Sequence, residues 1–268
     1  PATGAVARRR GLSGNLPASY TARMSEIVLV HGAFNELWGP HELKARWLPA
    51  LQDGVWHHGG SIDPDAVAVC FYGDLFRLDL SDHDPEAWQR SKAGAEDLLS
   101  GLGGSDTLDF LSEAAGQAAY DRTVAMVATM TSDPALTQRM RQRLVELIAP
   151  HTRVVVGHSL GSVVAYRALL AHPELEVDTL VTLGSPLGST WFDDGDSLGE
   201  WPGSVRRWVN VYDRGDRAAG PQGFDGRFGD RVEEYRVDNG HRSHDPEPYL
   251  NSRPTGAAVL RALRQPAG

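Results

Sequence analysis

The sequence has a single cysteine, Cys70, and no long apolar run. One cysteine can form no disulfide within the chain, so the fold must be stabilised by packing, and this composition fits a reducing compartment. No window approaches the roughly 20 consecutive apolar residues of a membrane-spanning helix. We therefore expect a cytoplasmic protein with no stable membrane insertion, although a secreted protein that lacks disulfides would have the same composition.

The chain also lacks an excess of positive charge. Its 35 acidic residues outnumber the 26 lysines and arginines, which gives a formal net charge of −9. This balance disfavours a nucleic-acid surface and persistent binding to anionic lipids. Apolar residues make up 41% and charged residues 23% of the 268 positions, which is ordinary for a globular protein with one sizeable core.

The N-terminal segment has no apolar run long enough for the core of a signal peptide. It contains Arg8, Arg9 and Arg10, followed by Gly, Ser, Asn and Pro. We predict that Pro1–Arg23 is a disordered leader upstream of a natural start at Met24, and that residues 24–268 form one domain. A functional basic arm is the alternative for this segment.

Short β-branched runs alternate with helical patterns along most of the chain. This alternation predicts an α/β fold with a doubly wound, mostly parallel sheet and helices on both faces, because the runs are almost continuously apolar. The predicted strands are Glu26–Val30, Ala66–Tyr72, Thr152–Val156, Thr179–Leu183, Trp208–Tyr212 and Val232–Val237. The predicted helices are His41–Leu51, Ser162–Ala171 and Thr255–Leu263.

The stretch from Leu78 to Ala149 contains no convincing strand, only helical patterns that are broken at Gly101–Gly104 and at Asp133–Pro134. One crossover helix needs fewer residues than this. The surplus, about residues 84–130, could form a helical flap over the sheet edge or a longer crossover packed on the outside. The sequence leaves both interpretations open.

The pattern Gly-x-Ser-x-Gly occurs at Gly157–Gly161, with Ser159 at its centre. The pattern alone is weak, since roughly 0.2 chance matches are expected in a chain of this composition. Its context is stronger, because it directly follows a predicted buried strand and directly precedes a predicted helix. At such a turn the serine is strained, the glycines relieve crowding, and the Leu160 amide at the helix N-terminus can stabilise an oxyanion. Ser159 is therefore the predicted nucleophile, and a structural turn with an unreactive serine is the alternative.

Three segments together resemble the α/β-hydrolase superfamily, in particular its bacterial lipase-like or esterase-like serine hydrolases. They are His31-Gly32 after the first predicted strand, Gly157–Gly161, and Leu183–Pro186 after a later strand. The resemblance covers the chain from about residue 26 to residue 263. It implies an α/β-hydrolase fold with a Ser-Asp-His triad.

The resemblance also implies an oxyanion hole after the first strand. Its two donors would be the amides of Ala33 and Leu160, with Phe34 as the alternative to Ala33. His31 stands at the end of a strand before a glycine, so we expect it to have a structural hydrogen-bonding role rather than a role as base.

In this family the acid and then the histidine follow the nucleophile along the chain, which leaves His244 and His241 as candidate bases. The resemblance favours His244, because Asp245 and then Tyr249-Leu250 follow it.

Asp216 and Asp213 compete for the role of the acid. The resemblance selects Asp216, because it follows a short turn that contains a glycine, and it leaves Asp213 as the cap of that turn. The segment Arg217-Ala218-Ala219 departs from the proline or valine that follows this aspartate in many members.

The implied reaction is hydrolysis of a carboxylic ester or thioester through an acyl-enzyme on Ser159. It needs no metal and no organic cofactor, and the expected substrate is a small-molecule ester, a thioester or a lipid. An acyltransferase, thioesterase or cyclase of a biosynthetic pathway is the first alternative. A non-catalytic member that binds a ligand is the second, and the oligomeric state is left open.

Several aromatic residues are candidates for the lining of an apolar acyl pocket, although aromatics at such positions belong to a core more often. They are Trp38, Phe71, Tyr72, Phe76, Trp88, Trp191 and Phe192. The stretch Gly184–Gly203 is expected to form part of the entrance wall. Its aspartates Asp193, Asp194 and Asp196 would discourage strongly anionic substrates.

Overall fold

The computed structural model describes residues 25–33, 35, 38–76, 133–188 and 199–265. The predicted leader and the predicted flap at residues 84–130 lie outside these ranges, as do Phe34, Trp88, and the whole of residues 189–198 in the predicted entrance wall. Within the described ranges the chain has an α/β architecture with a six-stranded sheet, and every neighbouring pair of its strands is parallel.

Each of the six predicted strands overlaps a strand of the sheet. The strands are β1 (Ile27–Val30), β2 (Val67–Cys70), β3 (Val154–His158), β4 (Val177–Leu183), β5 (Val205–Asp213) and β6 (Val232–Val237). Their order in the sheet is β2-β1-β3-β4-β5-β6. Both β4 and β5 begin earlier than predicted, because the charged residues Asp178 and Arg207 interrupt the apolar runs in the sequence. In the sheet these two residues lie on neighbouring strands and form an ion pair at 3.5 Å.

Five α-helices lie in the described ranges: α1 (Pro40–Trp56), α2 (Pro134–Leu147), α3 (Leu160–Ala171), α4 (Pro246–Leu250) and α5 (Arg253–Leu263). The predicted break at Asp133–Pro134 is the start of α2, where the Asp133 carboxylate accepts a hydrogen bond from the Leu136 amide at 2.9 Å. Helix α4 was not predicted, because five residues are too few to show a helical period. None of these helices is long and apolar enough to cross a bilayer.

Helix α1 shows how the sequence pattern produces the packing. Its residues Leu43, Trp47, Leu51 and Val55 recur every fourth position, so they share one face of the helix. All four are buried. The helix therefore packs through this face.

The side chains of the strands divide between two hydrophobic clusters. Val28 and Val30 of β1 belong to one cluster, together with residues of α2 and α3. Ile27 and Leu29 of β1 belong to the other, together with residues of α1 and α5. Since alternate residues of a strand point to opposite sides, the two clusters receive alternate side chains of β1.

An aromatic group anchors the segment that follows β5. Phe224 and Phe228 of this segment pack on Trp208 of β5, with ring centroids 5.4 Å and 4.7 Å away. Tyr166 of α3 stacks on the same indole at 5.3 Å. The Phe224 amide also donates to the Glu234 carboxylate of β6 at 2.9 Å. The chain after Asp213 is thus held against the sheet by buried rings.

We expect Phe224→Ala to lower the free energy of unfolding by about 3–5 kcal/mol, because it removes a fully buried ring and leaves a cavity. Tyr235→Ala is the matched control, since Tyr235 is 41% exposed on the neighbouring strand and its loss should cost less than about 0.5 kcal/mol. Urea unfolding followed by tryptophan fluorescence measures both. Equal losses in the two variants would show that the ring does not anchor the segment.

Candidate active site

Ser159 lies in the turn between β3 and α3, with φ 53° and ψ −129°. A positive φ in a residue other than glycine is strained and persists where surrounding contacts hold it. The Ser159 amide donates to the Leu183 carbonyl of β4 at 2.9 Å, and the Ser159 carbonyl accepts from the Ser162 amide at 2.9 Å. Backbone hydrogen bonds on both sides therefore fix the turn.

The two glycines of the motif allow close backbone approaches. A Cβ on Gly157 would lie 2.6 Å from the Cα of Ser162, and a Cβ on Gly161 would lie 2.3 Å from the Val30 carbonyl oxygen. Both distances are too short for any side chain. For Gly157 the crowding lies within the turn, as predicted, whereas Gly161 has no room for a side chain because it lies against the backbone of Val30 and His31.

Two further serines support the turn and were not identified from the sequence. The Ser162 hydroxyl lies 2.5 Å from the Ser159 carbonyl oxygen and 2.7 Å from the Ser185 hydroxyl. The Ser185 oxygen also accepts from the Leu187 amide at 3.3 Å. Ser185 is the serine of the segment Leu183–Pro186, so this segment contributes to the site by bracing the Ser159 turn.

The structure brings Ser159, His244 and Asp216 together in one line of hydrogen bonds. The Nε2 atom of His244 is 3.0 Å from the Ser159 hydroxyl, and its Nδ1 atom is 2.9 Å from both carboxylate oxygens of Asp216. A carboxylate can only accept, so Nδ1 carries the proton and Nε2 is free to accept from the hydroxyl. This is the arrangement in which an imidazole can remove a proton from a serine.

The carboxylate of Asp216 is completely buried. Besides His244, it accepts hydrogen bonds from the amides of Ala218 and Ala219 at 3.0 Å and 3.3 Å, and from the Tyr249 hydroxyl at 2.7 Å. Burial alone would raise the pKa of Asp216, but attraction to His244 and the hydrogen bonds from His244 and Tyr249 hold it below its usual value. Asp216 is therefore ionised.

The pKa of His244 shifts in the opposite direction. Burial alone would lower it, but the charge and the hydrogen bond of Asp216 outweigh burial and raise the pKa above its usual 6.5. The carboxylate thus stabilises the imidazolium that forms when His244 takes up a proton.

The alternative residues occupy different environments. His241 is exposed in the short 3₁₀ turn Gly240–Arg242. The carboxylate of Asp213 accepts from the Gly215 amide at 2.7 Å and from the Asn239 amide, so it caps the turn after β5, as predicted. Of the two histidines, His244 is the one that contacts Ser159, and of the two aspartates, Asp216 is the one that contacts His244.

The turn after β1 lies directly against Ser159. A Cβ on Gly32 would be 2.8 Å from the Cβ of Ser159 and 3.3 Å from its hydroxyl oxygen. The Asn35 side-chain amide donates to the carbonyls of Gly32 and Ala33, at 3.2 Å and 2.8 Å, and this polar anchor was not identified from the sequence. The Leu160 amide, at the first position of α3, has no acceptor within its helix. The roles of Ala33 and Leu160 as oxyanion donors stay predictions.

The position of Ser159 in the sheet is the one where α/β proteins bind ligands. From β1 the chain goes to β2 on one side of the sheet, and from β3 it goes to β4 on the other side. Such a change of direction leaves a crevice at the carboxyl ends of the strands. Ser159 follows β3 and the turn at Gly32 follows β1, so both lie at this crevice. Asp216 and His244 follow β5 and β6, at the same edge of the sheet.

Two other histidines are buried beside the site and are held neutral. His31 donates from Nδ1 to the Gly32 carbonyl at 2.8 Å and accepts at Nε2 from the Tyr72 amide at 3.1 Å, which is the structural role predicted for it. His158 donates from Nε2 to the His244 carbonyl at 2.9 Å. Burial lowers the pKa of His31 to about 4 and, with repulsion from His244, lowers that of His158 to about 3.

Tyr72, a candidate for the acyl pocket, is instead part of this scaffold. It is fully buried, its ring stacks on His31 at 4.0 Å, and its hydroxyl donates to the His31 carbonyl. Trp191 and Phe192 lie outside the described residues. No group of three or more His, Cys, Asp or Glu side chains in the described ranges is placed to hold a metal ion.

We expect unfolding at pH 5–6 to take up about two protons, because His31 and His158 are neutral in the folded state and are protonated when unfolded, with a pKa near 6.5. A group with a lowered folded pKa stabilises the fold above its unfolded pKa, and this stability is lost as the pH falls towards 4. The free energy of unfolding should therefore rise by about 2.7 kcal/mol per pH unit in this range.

Urea unfolding at several pH values measures this slope. His158→Asn removes one of the two groups, so its slope should be smaller by about one proton, or about 1.4 kcal/mol per pH unit. An identical slope in the variant would contradict the neutral state of His158.

The chain was also compared with known proteins. No model of a protein family, no curated protein and no solved structure matches it. Its function must therefore be argued from the geometry of this site.

Proposed function

We propose that the protein is a serine hydrolase that cleaves a carboxylic ester or thioester through an acyl-enzyme on Ser159. The observation that carries the proposal is the contact of His244 with both partners, the Ser159 hydroxyl at 3.0 Å and the Asp216 carboxylate at 2.9 Å. A strained serine, a histidine and a buried carboxylate in this geometry are the parts of a serine nucleophile with its base.

We also propose that the sheet is that of an α/β-hydrolase, doubly wound with helices on both faces. The division of strand side chains between one cluster with α2 and α3 and another with α1 and α5 supports this. So does the order Ser159, Asp216, His244 along the chain, which is the order of that fold. The nucleophile follows a central strand of the sheet, as a nucleophile elbow requires.

The proposed mechanism has two halves. His244 takes the hydroxyl proton as the Ser159 oxygen attacks the acyl carbon, and the amides of Ala33 and Leu160 hold the tetrahedral oxyanion. The imidazolium, stabilised by Asp216, then gives the proton to the leaving alcohol or thiol. In the second half, water loses a proton to His244 and attacks the acyl carbon, and the second tetrahedral intermediate collapses by breaking its bond to the Ser159 oxygen. The imidazolium returns its proton to that oxygen as the carboxylic acid is released. Protons and charges balance over the cycle without a further co-reactant.

The first alternative is an enzyme of a biosynthetic pathway that acts on a carrier-bound acyl chain. A thioesterase releases this chain to water, whereas an acyltransferase or a cyclase passes it to an alcohol or amine. Both reactions pass through the same acyl-enzyme. They are separated by comparing kcat/KM for esters with kcat/KM for acyl thioesters, in the presence and absence of an acceptor alcohol or amine.

The first test is hydrolysis of p-nitrophenyl esters of several chain lengths. Ser159→Ala should lower the rate by about 10⁴–10⁶-fold, because the nucleophile is lost. Ser252→Ala is a suitable control, since Ser252 caps α5 and lies in a different part of the chain. Equal rates of ester hydrolysis in the wild-type protein and Ser159→Ala would contradict the proposal. Rates in both proteins no higher than that of the uncatalysed reaction would favour a non-catalytic binding role.

The second test concerns the base. A fluorophosphonate should label Ser159 in the wild-type protein, and His244→Ala should slow labelling by at least about 10²-fold, because the base is lost. His241→Ala is the matched control, because His241 is three residues away and exposed. Its labelling rate should not change. Intact-protein mass spectrometry follows the reaction, and equal labelling in the two variants would remove His244 from the mechanism.

A further inference from the structure

Tyr249 lies in α4, five residues after His244, and is fully buried. Its hydroxyl donates to the Oδ2 atom of Asp216 at 2.7 Å and accepts from the Asp213 amide at 3.0 Å. The Asp213 amide therefore orients the hydroxyl so that its proton points to Asp216. A tyrosine that filled space alone would need neither contact.

The two oxygens of Asp216 have different partners. Oδ1 accepts from the amides of Ala218 and Ala219, and Oδ2 accepts from Tyr249, while His244 contacts both. Tyr249 and His244 thus share Oδ2. Each hydrogen bond to a carboxylate withdraws negative charge from it, so a second donor weakens the attraction between the carboxylate and a protonated His244.

We propose that Tyr249 is a positioning residue that sets the proton affinity of His244 through the Asp216 carboxylate. This inference rests on the proposed function of the Ser159 site. The hydroxyl holds Oδ2 in place and lowers its basicity, so that His244 binds a proton tightly enough to act as base but gives it up to the leaving group.

The hydroxyl remains a donor throughout the pH range of such an enzyme. Burial and the neighbouring charge of Asp216 raise the pKa of Tyr249 far above its usual value of 10. It therefore stays protonated when His244 titrates, and its effect on Asp216 is constant.

Other charged or titratable groups also face His244. The ring of His158 lies 5.0 Å from that of His244, and its pKa of about 3 keeps it neutral. Asp245 adjoins His244 and pairs with Arg242 at 2.5 Å. Asp213, near Tyr249, accepts two backbone amides. The acidic limb of the activity profile should thus report the Asp216–His244 pair.

The test is the pH dependence of Ser159 labelling by a fluorophosphonate and of kcat/KM for a p-nitrophenyl ester. In the wild-type protein the acidic midpoint should lie above pH 6.5, because Asp216 raises the pKa of His244. Tyr249→Phe should raise this midpoint by about 0.5–1 pH unit. At a pH one unit below the wild-type midpoint, the variant should therefore be labelled about 3–10-fold more slowly than the wild-type protein. An unchanged or lower midpoint would overturn the proposal.

Tyr166→Phe is the matched control. It also removes a hydroxyl from a packed tyrosine ring, but this ring lies away from the triad. The Tyr166 hydroxyl donates to the Glu200 carbonyl at 2.9 Å. This variant should lose stability without a change in the midpoint. If both variants shifted the midpoint equally, the effect of Tyr249 would be one of general packing and the proposal would be overturned.

Tyr249→Phe leaves the buried Asp213 amide without the acceptor that the Tyr249 hydroxyl provides, and this loss could prevent folding. A second variant tests the proposal without removing the hydroxyl. Site-specific 3-fluorotyrosine at position 249 keeps the hydroxyl but makes it a stronger donor, so the midpoint should fall. A midpoint that stays or rises would contradict the proposal.

The titration of the His244 ring by ¹⁵N NMR separates this inference from the proposed function, because it needs no reaction at Ser159. If no ester or fluorophosphonate reacts, the proposed function fails. The shift of the His244 pKa in Tyr249→Phe still tests the role of Tyr249.

Discussion

The site depends on a buried negative charge. A carboxylate removed from water is very unfavourable unless charges and hydrogen bonds compensate for it, and Asp216 is completely buried. Its compensation comes from separate parts of the chain, namely the turn after β5, the loop after β6 and helix α4. The positions of His244 and Tyr249 therefore follow from the need to satisfy this carboxylate. The aromatic packing of Phe224 and Phe228 on β5 holds the segment in which the carboxylate lies.

Three histidines within one site have different protonation behaviour, and their surroundings explain it. His31 and His158 are buried next to backbone groups, so burial dominates and lowers their pKa values to about 4 and 3. His244 is also largely removed from water, but it contacts a carboxylate and its pKa is raised. The neutral pair can serve as rigid hydrogen-bonding elements at a pH where His244 still exchanges a proton. The buried scaffold and the proposed base are thus built from the same residue type.

Much of this arrangement could be predicted from the sequence, because it depends on local patterns. Strands β1, β2 and β3 contain short runs rich in valine and isoleucine, and the turn at Ser159 combines two glycines with a strand and a helix. Other parts depend on distant segments that meet only in the folded chain. Nothing in the sequence near Tyr249 indicates that its hydroxyl contacts Asp216, 33 residues earlier. The pairing of Ser162 with Ser185 and the bond from His158 to the His244 carbonyl are likewise tertiary contacts without a periodic signal.

The bond from His158 to the His244 carbonyl has a consequence for how the site tolerates change. His158 and Ser159 are consecutive, and they contact the main chain and the ring of the same histidine. The proposed nucleophile and the proposed base are therefore aligned by one dipeptide at the end of β3. Their alignment does not require a fixed length for the segment between Asp216 and Asn239. Insertions or deletions at the exposed turns of that segment can reshape the surroundings of the site while the reacting atoms keep their distance. Variation in what the site accepts can then arise without rebuilding the nucleophile.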